Sequence, residues 1–214
     1  MKELCRMALN KELLITKDKI TFINENKEFY IREINKYDSL IKGNINIVIK
    51  GETLMITKIN INKKPDKKLI YETINSNFFN SKDKLFHYIY DKKNKTLIIY
   101  SVIKPFVLNK IIEKACIKKI RPYEVFLFEK FKRKIKNKCG MIFYIEEGYA
   151  IALGIVNGYM GFIKEVENIE KESLFSVIDE FKSAEKIKDM ELMIRGDEKK
   201  LDYFNIEELR KVFI

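Results

Sequence analysis

The sequence predicts a mixed α/β fold of two similar halves, with a βαββαβ segment inserted into the first, and three observations carry that prediction. Each half contains three short β-rich runs joined by tight turns. In each half apolar residues at helical spacing follow. From Thr53 to Tyr123 the patterns run β-α-β-β-α-β, the split order of a ferredoxin-like subdomain, whose two crossovers can both be right-handed.

Glu12 to Thr16, Lys19 to Asn24 and Glu28 to Ile34 form the first meander, separated by Lys17-Asp18 and by the polar Asn24-Glu25-Asn26-Lys27. Ile45, Ile47 and Ile49 alternate with Asn46, Val48 and Lys50, and after Gly51 the run Leu54 to Ile61 alternates again. Pro65 opens a helix at its first turn, with Ile70, Ile74 and Phe78 at i, i+4 and i+8. Strands Leu85 to Asp91 and Lys95 to Ile103 flank Lys92-Lys93-Asn94. Pro105 then opens a helix with Leu108, Ile111, Ile112 and Ala115 on one face, and Lys118 to Tyr123 closes the segment as a strand.

Glu124 to Ile135 carries Leu127, Phe128, Phe131 and Ile135 at helical spacing, so this helix should pack on a sheet. Met141 to Glu146, Tyr149 to Val156 and Tyr159 to Val166 are the second meander, whose second turn, Asn157-Gly158, is the type I′ signature. Leu174, Val177, Ile178 and Phe181 mark an amphipathic helix, Met190 to Ile194 a short buried strand ending at Gly196, and Ile206, Leu209 and Phe213 a terminal helix. The predicted boundaries are 1–52 for the first meander, 53–123 for the inserted subdomain, 124–138 for a linking helix and 139–214 for the second half. Such a duplicated plan is how actin-like (ribonuclease H-like) folds are built.

At 214 residues, 46% hydrophobic and 34% charged, the composition is that of a soluble globular chain. Its longest uncharged stretch, Gly148 to Ile163, has 16 residues and contains Gly154 and Asn157-Gly158, short of the roughly 20 apolar residues of a spanning helix. The N-terminus lacks the apolar run of a secretory signal, so a cytoplasmic location is expected. Cys5, Cys116 and Cys139 make an odd number with no CxxC pair, which speaks against a disulfide framework and a cysteine zinc site. The single histidine, His87, excludes His-pair and HExxH chemistry, so neither a metal nor a cofactor is expected. A net charge of +11 raises the question of a polyanion partner. It is discounted because Lys, Asn and Ile crowd the whole chain, as an AT-rich codon composition would impose.

Several stretches resemble the PilM proteins of type IV pilus machines and the cytoplasmic domain of GspL in type II secretion. Ile45-Asn46-Ile47-Val48-Ile49 with Leu54-Met55-Ile56-Thr57-Lys58-Ile59 is similar to the family's paired strands ahead of its inserted subdomain. Lys67 to Ile74 resembles a family helix reading Lys/Arg-Leu-x-x-Ala-Ile. Phe86-His87-Tyr88 stands where relatives have a strand near an acidic-apolar stretch. Lys110 to Lys118 is similar to a helix ending in Ala-Gly-Leu-Lys/Arg, although Cys116 replaces the Gly and Lys119 stands where PilM often has Pro.

The resemblance implies an actin-like fold and a scaffold role. The implied partners are a membrane-anchored protein like PilN and the assembly ATPase, holding the chain at the inner face of the cell membrane. Relatives that bind ATP hold its phosphates with glycine-rich turns, because backbone N–H groups approach phosphate only where side chains are absent. Here the first meander turns on Thr16-Lys17-Asp18-Lys19, without Gly, and the second on Glu146-Glu147-Gly148. Only Arg195-Gly196-Asp197 offers a Gly on the adenine side. The chain sides with GspL, and no catalytic residue is expected.

In PilM the partner peptide lies in a groove between the inserted subdomain and the body, and here the chain crosses that boundary at Lys63-Lys64-Pro65 and Arg121-Pro122-Tyr123. Lys64, Pro65, Arg121 and Tyr123 are therefore the candidate partner contacts, with tight connectors as the plain alternative. Lys130, Lys132, Arg133, Lys134, Lys136 and Lys138 are candidates for an anionic surface, lipid or nucleic acid, against a solvated helix face. Nucleic acid is disfavoured, because the neighbouring aromatics sit at core spacing and no RNP-like block appears. Glu146-Glu147 reads as a solvated turn. A homodimer and a surviving nucleotide-binding protein stay open.

Overall fold

The computed structural model describes residues 10–135, 139–167 and 169–196. The chain divides into two compact units between Tyr123 and Glu124. The terminal helix expected from the sequence, and Cys5, Lys136, Lys138 and Asp197, lie outside the described residues.

In the first unit, β1 (Lys11–Ile15), β2 (Lys19–Phe22) and β3 (Lys27–Tyr30) form the expected meander, pairing Leu13 with Phe22 and Ile20 with Phe29. The third strand stops at Tyr30 rather than Ile34. Ile31–Tyr37 is a 3-10 helix, which puts Ile34 into the core and stacks Tyr37 on Phe29 at 4.2 Å. A short α1 (Asp38–Ile41) leads to β4 (Asn44–Ile49), which runs parallel to β1 with Leu13 beside Ile47.

Beyond β4 come β5 (Met55–Asn60), α2 (Lys67–Asn77), β6 (Lys84–Asp91), β7 (Thr96–Ile103), α3 (Val107–Ile112) and β8 (Cys116–Pro122). The β-α-β-β-α-β order is the expected one, but its pairing departs from a ferredoxin-like sheet. Only β5, β7 and β6 pair among themselves, while β8 joins the first sheet parallel to β4, giving the order β3-β2-β1-β4-β8. The cause lies in the open apolar face of the meander. Val107, Leu108 and Ile111 of α3 are buried against Leu13, Ile15, Ile20, Ile45, Ile47 and Ile49, and β8 follows its helix to that sheet.

For the same reason β4 and β5, similar to paired strands in sequence, belong to different sheets. Ile112, expected on the packed face of α3, is exposed. Pro65 precedes its helix rather than starting it: Asp66 is the N-cap, and its carboxylate accepts the Leu69 N–H at 2.8 Å. Ile70 and Phe78 are buried as the spacing requires, and Phe78, with Ile74 beside it, packs on Leu97 and Ile99 of β7.

From its second residue onward, α4 (Tyr123–Phe131) belongs to the second unit, and it is shorter than predicted because Lys132–Lys134 tightens into a 3-10 turn. Its Phe131 ring lies 5.8 Å from Tyr144. Strands β9 (Gly140–Ile145), β10 (Ala150–Val156) and β11 (Tyr159–Val166) form the second meander, and both residues of its Asn157-Gly158 turn have positive φ, 52° and 80°. Next, α5 (Lys171–Glu185) buries Leu174, Val177, Ile178 and Phe181 against Met141, Phe143, Ala150 and Ala152. Finally β12 (Glu191–Gly196) runs parallel to β9, completing the order β11-β10-β9-β12. Gly154 is required here, since a Cβ would collide with the Phe181 ring and the Phe162 side chain.

Candidate functional site

The two meander turns are where a nucleotide-binding version of this topology would hold phosphate, and each is built from its own unit. In the first, the Thr16 N–H donates to the Lys19 carbonyl at 2.9 Å, leaving Lys17 and Asp18 as a two-residue turn. The Thr16 hydroxyl lies 3.2 Å from both the Lys19 N–H and the Lys19 carbonyl oxygen. Neither Lys17 nor Asp18 has a positive φ. An anion nest needs alternating right- and left-handed residues to aim successive N–H groups at one point, and this turn lacks the left-handed one.

The second turn joins β9 to β10. Here the Glu146 N–H donates to the Tyr149 carbonyl at 2.9 Å, and Gly148 takes the left-handed position at φ 84°. Glu147 stands exposed, and the Tyr149 hydroxyl donates to the Glu146 carboxylate. Burial pushes the Tyr149 phenol above its ordinary range, helped by that hydrogen bond and by the nearby charges of Glu146, Glu165 and Glu124. The turn therefore sits in a field of carboxylates, which repels phosphate.

Gly196 has a packing reason of its own. At φ 142° it pairs with Ile145 of β9, and a Cβ would run into the Ile145 backbone. His87 is exposed on β6 and stacks against Tyr100 of β7 at 5.9 Å, with Phe86, Tyr88 and Tyr90 on the other face of the strand. Among the described residues no group of three or more His, Cys, Asp or Glu could hold a metal ion.

The four predicted partner contacts fall in two places. The Arg121 guanidinium, on β8, pairs with the Glu12 carboxylate of β1 across β4, and Tyr123 lies under the Lys50 ammonium at 4.7 Å. Lys64 and Pro65 lie past the other end of the strand that follows, beyond Asn60 where β5 pairs with Thr96. In the basic run, the ammonium groups of Lys130 and Lys134 lie 5.3 and 5.8 Å from the Phe131 ring, and that of Lys132 lies 5.1 Å from Phe128. Both rings are buried, so these cations cover the aromatics instead of leaving them open to bases, and Arg133 is exposed beside them.

No protein-family model and no curated protein matches the chain. Its fold is nonetheless that of the actin-like class. A Bacteroides thetaiotaomicron protein with an actin-like ATPase fold and unknown function superposes with a TM-score of 0.51 at 15% identity, over 95% of this chain and 88% of that one. The cytoplasmic domain of EpsL, an inner-membrane component of the type II secretion system of Vibrio cholerae, superposes at 0.47 with 9% identity over 87% and 82%. The PilM-PilN type IV pilus biogenesis complex contributes a chain at 0.41 with 8% identity over 78% and 75%. The actin-like fold implied by the sequence resemblance is thus the fold found.

Proposed function

We propose that this chain is a non-catalytic scaffold on the cytoplasmic face of a type IV pilus, competence-pilus or type II secretion apparatus, recruiting a membrane-anchored PilN-like protein and the assembly ATPase. The observation that carries the non-catalytic part is the β9–β10 turn, where Glu146, which accepts from the Tyr149 hydroxyl, and the exposed Glu147 stand in the turn that is glycine-rich in ATP-binding relatives. The β1–β2 turn, without a left-handed residue, supports it. The machine is suggested by the sequence resemblance to PilM and GspL. Among the described residues no helix is long and apolar enough to cross a membrane.

Calorimetry with Mg-ATP should show no binding, and a micromolar dissociation constant would overturn the non-catalytic reading. For the partner, Lys64→Glu and Tyr123→Ala separate the two places that the candidate contacts occupy. Binding to the cytoplasmic peptide of a membrane protein encoded beside this one should weaken at least about tenfold in one of them, a change of ~1.4 kcal/mol. Unchanged affinity in both removes these contacts from the proposal.

A further inference from the structure

Two aromatic side chains at one end of the three-stranded sheet project almost wholly into solvent. Phe79 follows α2 and is 86% exposed; Phe106 precedes α3 and is 81% exposed. The chain brings them to the same end. Lys84 pairs with Ile103 where β6 starts and β7 ends, and just beyond that pair the Lys104 N–H donates to the Asp83 carbonyl at 2.9 Å. Phe79 lies four residues before Asp83 and Phe106 two residues after Lys104, with Ile103, half exposed, between the two connections. Isolated exposed apolar residues are ordinary, but two Phe and an Ile at one end of a small sheet are not.

Cations accompany them: Lys82 and Lys104 lie in the two connections, where Asp83 is the one carboxylate, and the Lys110 ammonium reaches 5.9 Å from the Phe106 ring. The occupant must therefore be apolar and anionic together. Its shape follows from the projection of the rings: these are knobs, and the open cavity beside Phe79 is lined by Asn and Ser residues of 75–81 as much as by Phe78 and Phe79. A peptide partner would need pockets shaped to each ring. A bilayer interface accepts a projecting aromatic without one, while anionic headgroups meet the lysines.

We propose that Phe79 and Phe106, flanked by Lys82, Lys104 and Lys110, form an anchor by which this end of the sheet seats on an anionic bilayer surface. The proposal stands independently of the scaffold reading. The chain contains no Trp, so Phe79→Trp and Phe106→Trp each install a unique fluorophore, with Tyr30→Trp on the first sheet as the control. Mixed with vesicles of phosphatidylcholine and phosphatidylglycerol, the 79 and 106 reporters should shift to the blue and be quenched by brominated acyl chains, and the control should not.

The Phe79→Ser/Phe106→Ser variant, whose unchanged melting temperature reports intact folding, should bind these vesicles at least about tenfold more weakly. Lys82→Gln/Lys104→Gln/Lys110→Gln should remove the preference for anionic over pure phosphatidylcholine vesicles. If vesicle binding survives the double Ser variant, the anchor is not this one. Unshifted reporters, or a soluble protein that needs both Phe while vesicles do not bind, would replace the bilayer with another occupant and overturn the proposal.

Discussion

In the first unit the meander β3-β2-β1 gains β4 parallel to β1, and in the second the meander β11-β10-β9 gains β12 parallel to β9. Four strands are arranged alike, yet their apolar faces are covered by different means. In the second unit the connection from β11 to β12 is itself the cover: the 15-residue α5 packs on the sheet it crosses. In the first, the connection from β3 to β4 is a 3-10 turn and a four-residue helix, too short to cover the sheet, and α3 arrives only after the three-stranded sheet has been built. A cover supplied from far along the chain leaves room for insertion, and among the described residues the exposed large apolar side chains belong to that first unit. The three-stranded sheet lies in the unit whose core is closed non-locally.

That contrast breaks most readily at Phe181. The side chain is fully buried between β10, β11 and the rest of α5, so Phe181→Ala should cost about 3–5 kcal/mol in chemical denaturation. Hydrogen exchange should then rise in β9 to β12 and stay low in β1 to β4. Equal loss in both sheets would show that the units do not hold their own structure. Leu108→Ala is the mirror experiment: about 2–5 kcal/mol, with protection lost in β1, β4 and β8 although the substituted helix lies far from β1 in sequence. Protection retained there would mean that α3 is not the essential cover.

A smaller effect sharpens the picture of β8 as a strand of the first sheet. Arg121→Ala leaves the Glu12 carboxylate largely buried without its guanidinium and should cost about 2 kcal/mol, below the range for fully buried pairs because both side chains keep some solvent contact. The double variant Glu12→Gln/Arg121→Met should be more stable than Arg121→Ala alone, a non-additivity readable by urea melts.

The smallest change is expected at the β9–β10 turn. Tyr149→Phe removes one hydrogen bond to Glu146, worth about 1 kcal/mol. Because the folded phenol titrates above its unfolded value, the unfolded chain loses this proton first as the medium turns alkaline. The contribution is complete below pH 10 and fades above it, so the difference between wild type and variant should shrink there. A difference that is constant through pH 11 would show that burial and the carboxylate together do not raise the phenol.

Much of the second unit could be read from residues alone. Asn157-Gly158 announces its turn because only residues tolerant of positive φ make a type I′ hairpin, and the spacing Leu174, Val177, Ile178, Phe181 belongs to a helix whatever it packs on. The carboxylates of the β9–β10 turn were equally plain, although the bond from Tyr149 to Glu146 was not. Ile31 to Ile34 misled because its β-rich residues match a strand, whereas the burial of Ile34 demanded a tighter path. Gly154 carried no signal of need, since the ring that excludes a Cβ comes from α5. Phe79 and Phe106 carry no signal of exposure: next to helical patterns they look like core, and only the packed structure exposes them.

By itself the sequence determined where strands and helices run, which face of most of them is apolar, and that the two halves share a plan, because periodicity and turn chemistry act over a few residues. The tertiary structure decided which sheet each element joins. The element order from β5 to β8 is compatible with a four-stranded ferredoxin-like sheet and with the arrangement found, and nothing local separates them. What separates them is the apolar face of β1, β2 and β4, which Val107, Leu108 and Ile111 cover, and that contact exists only once distant segments meet.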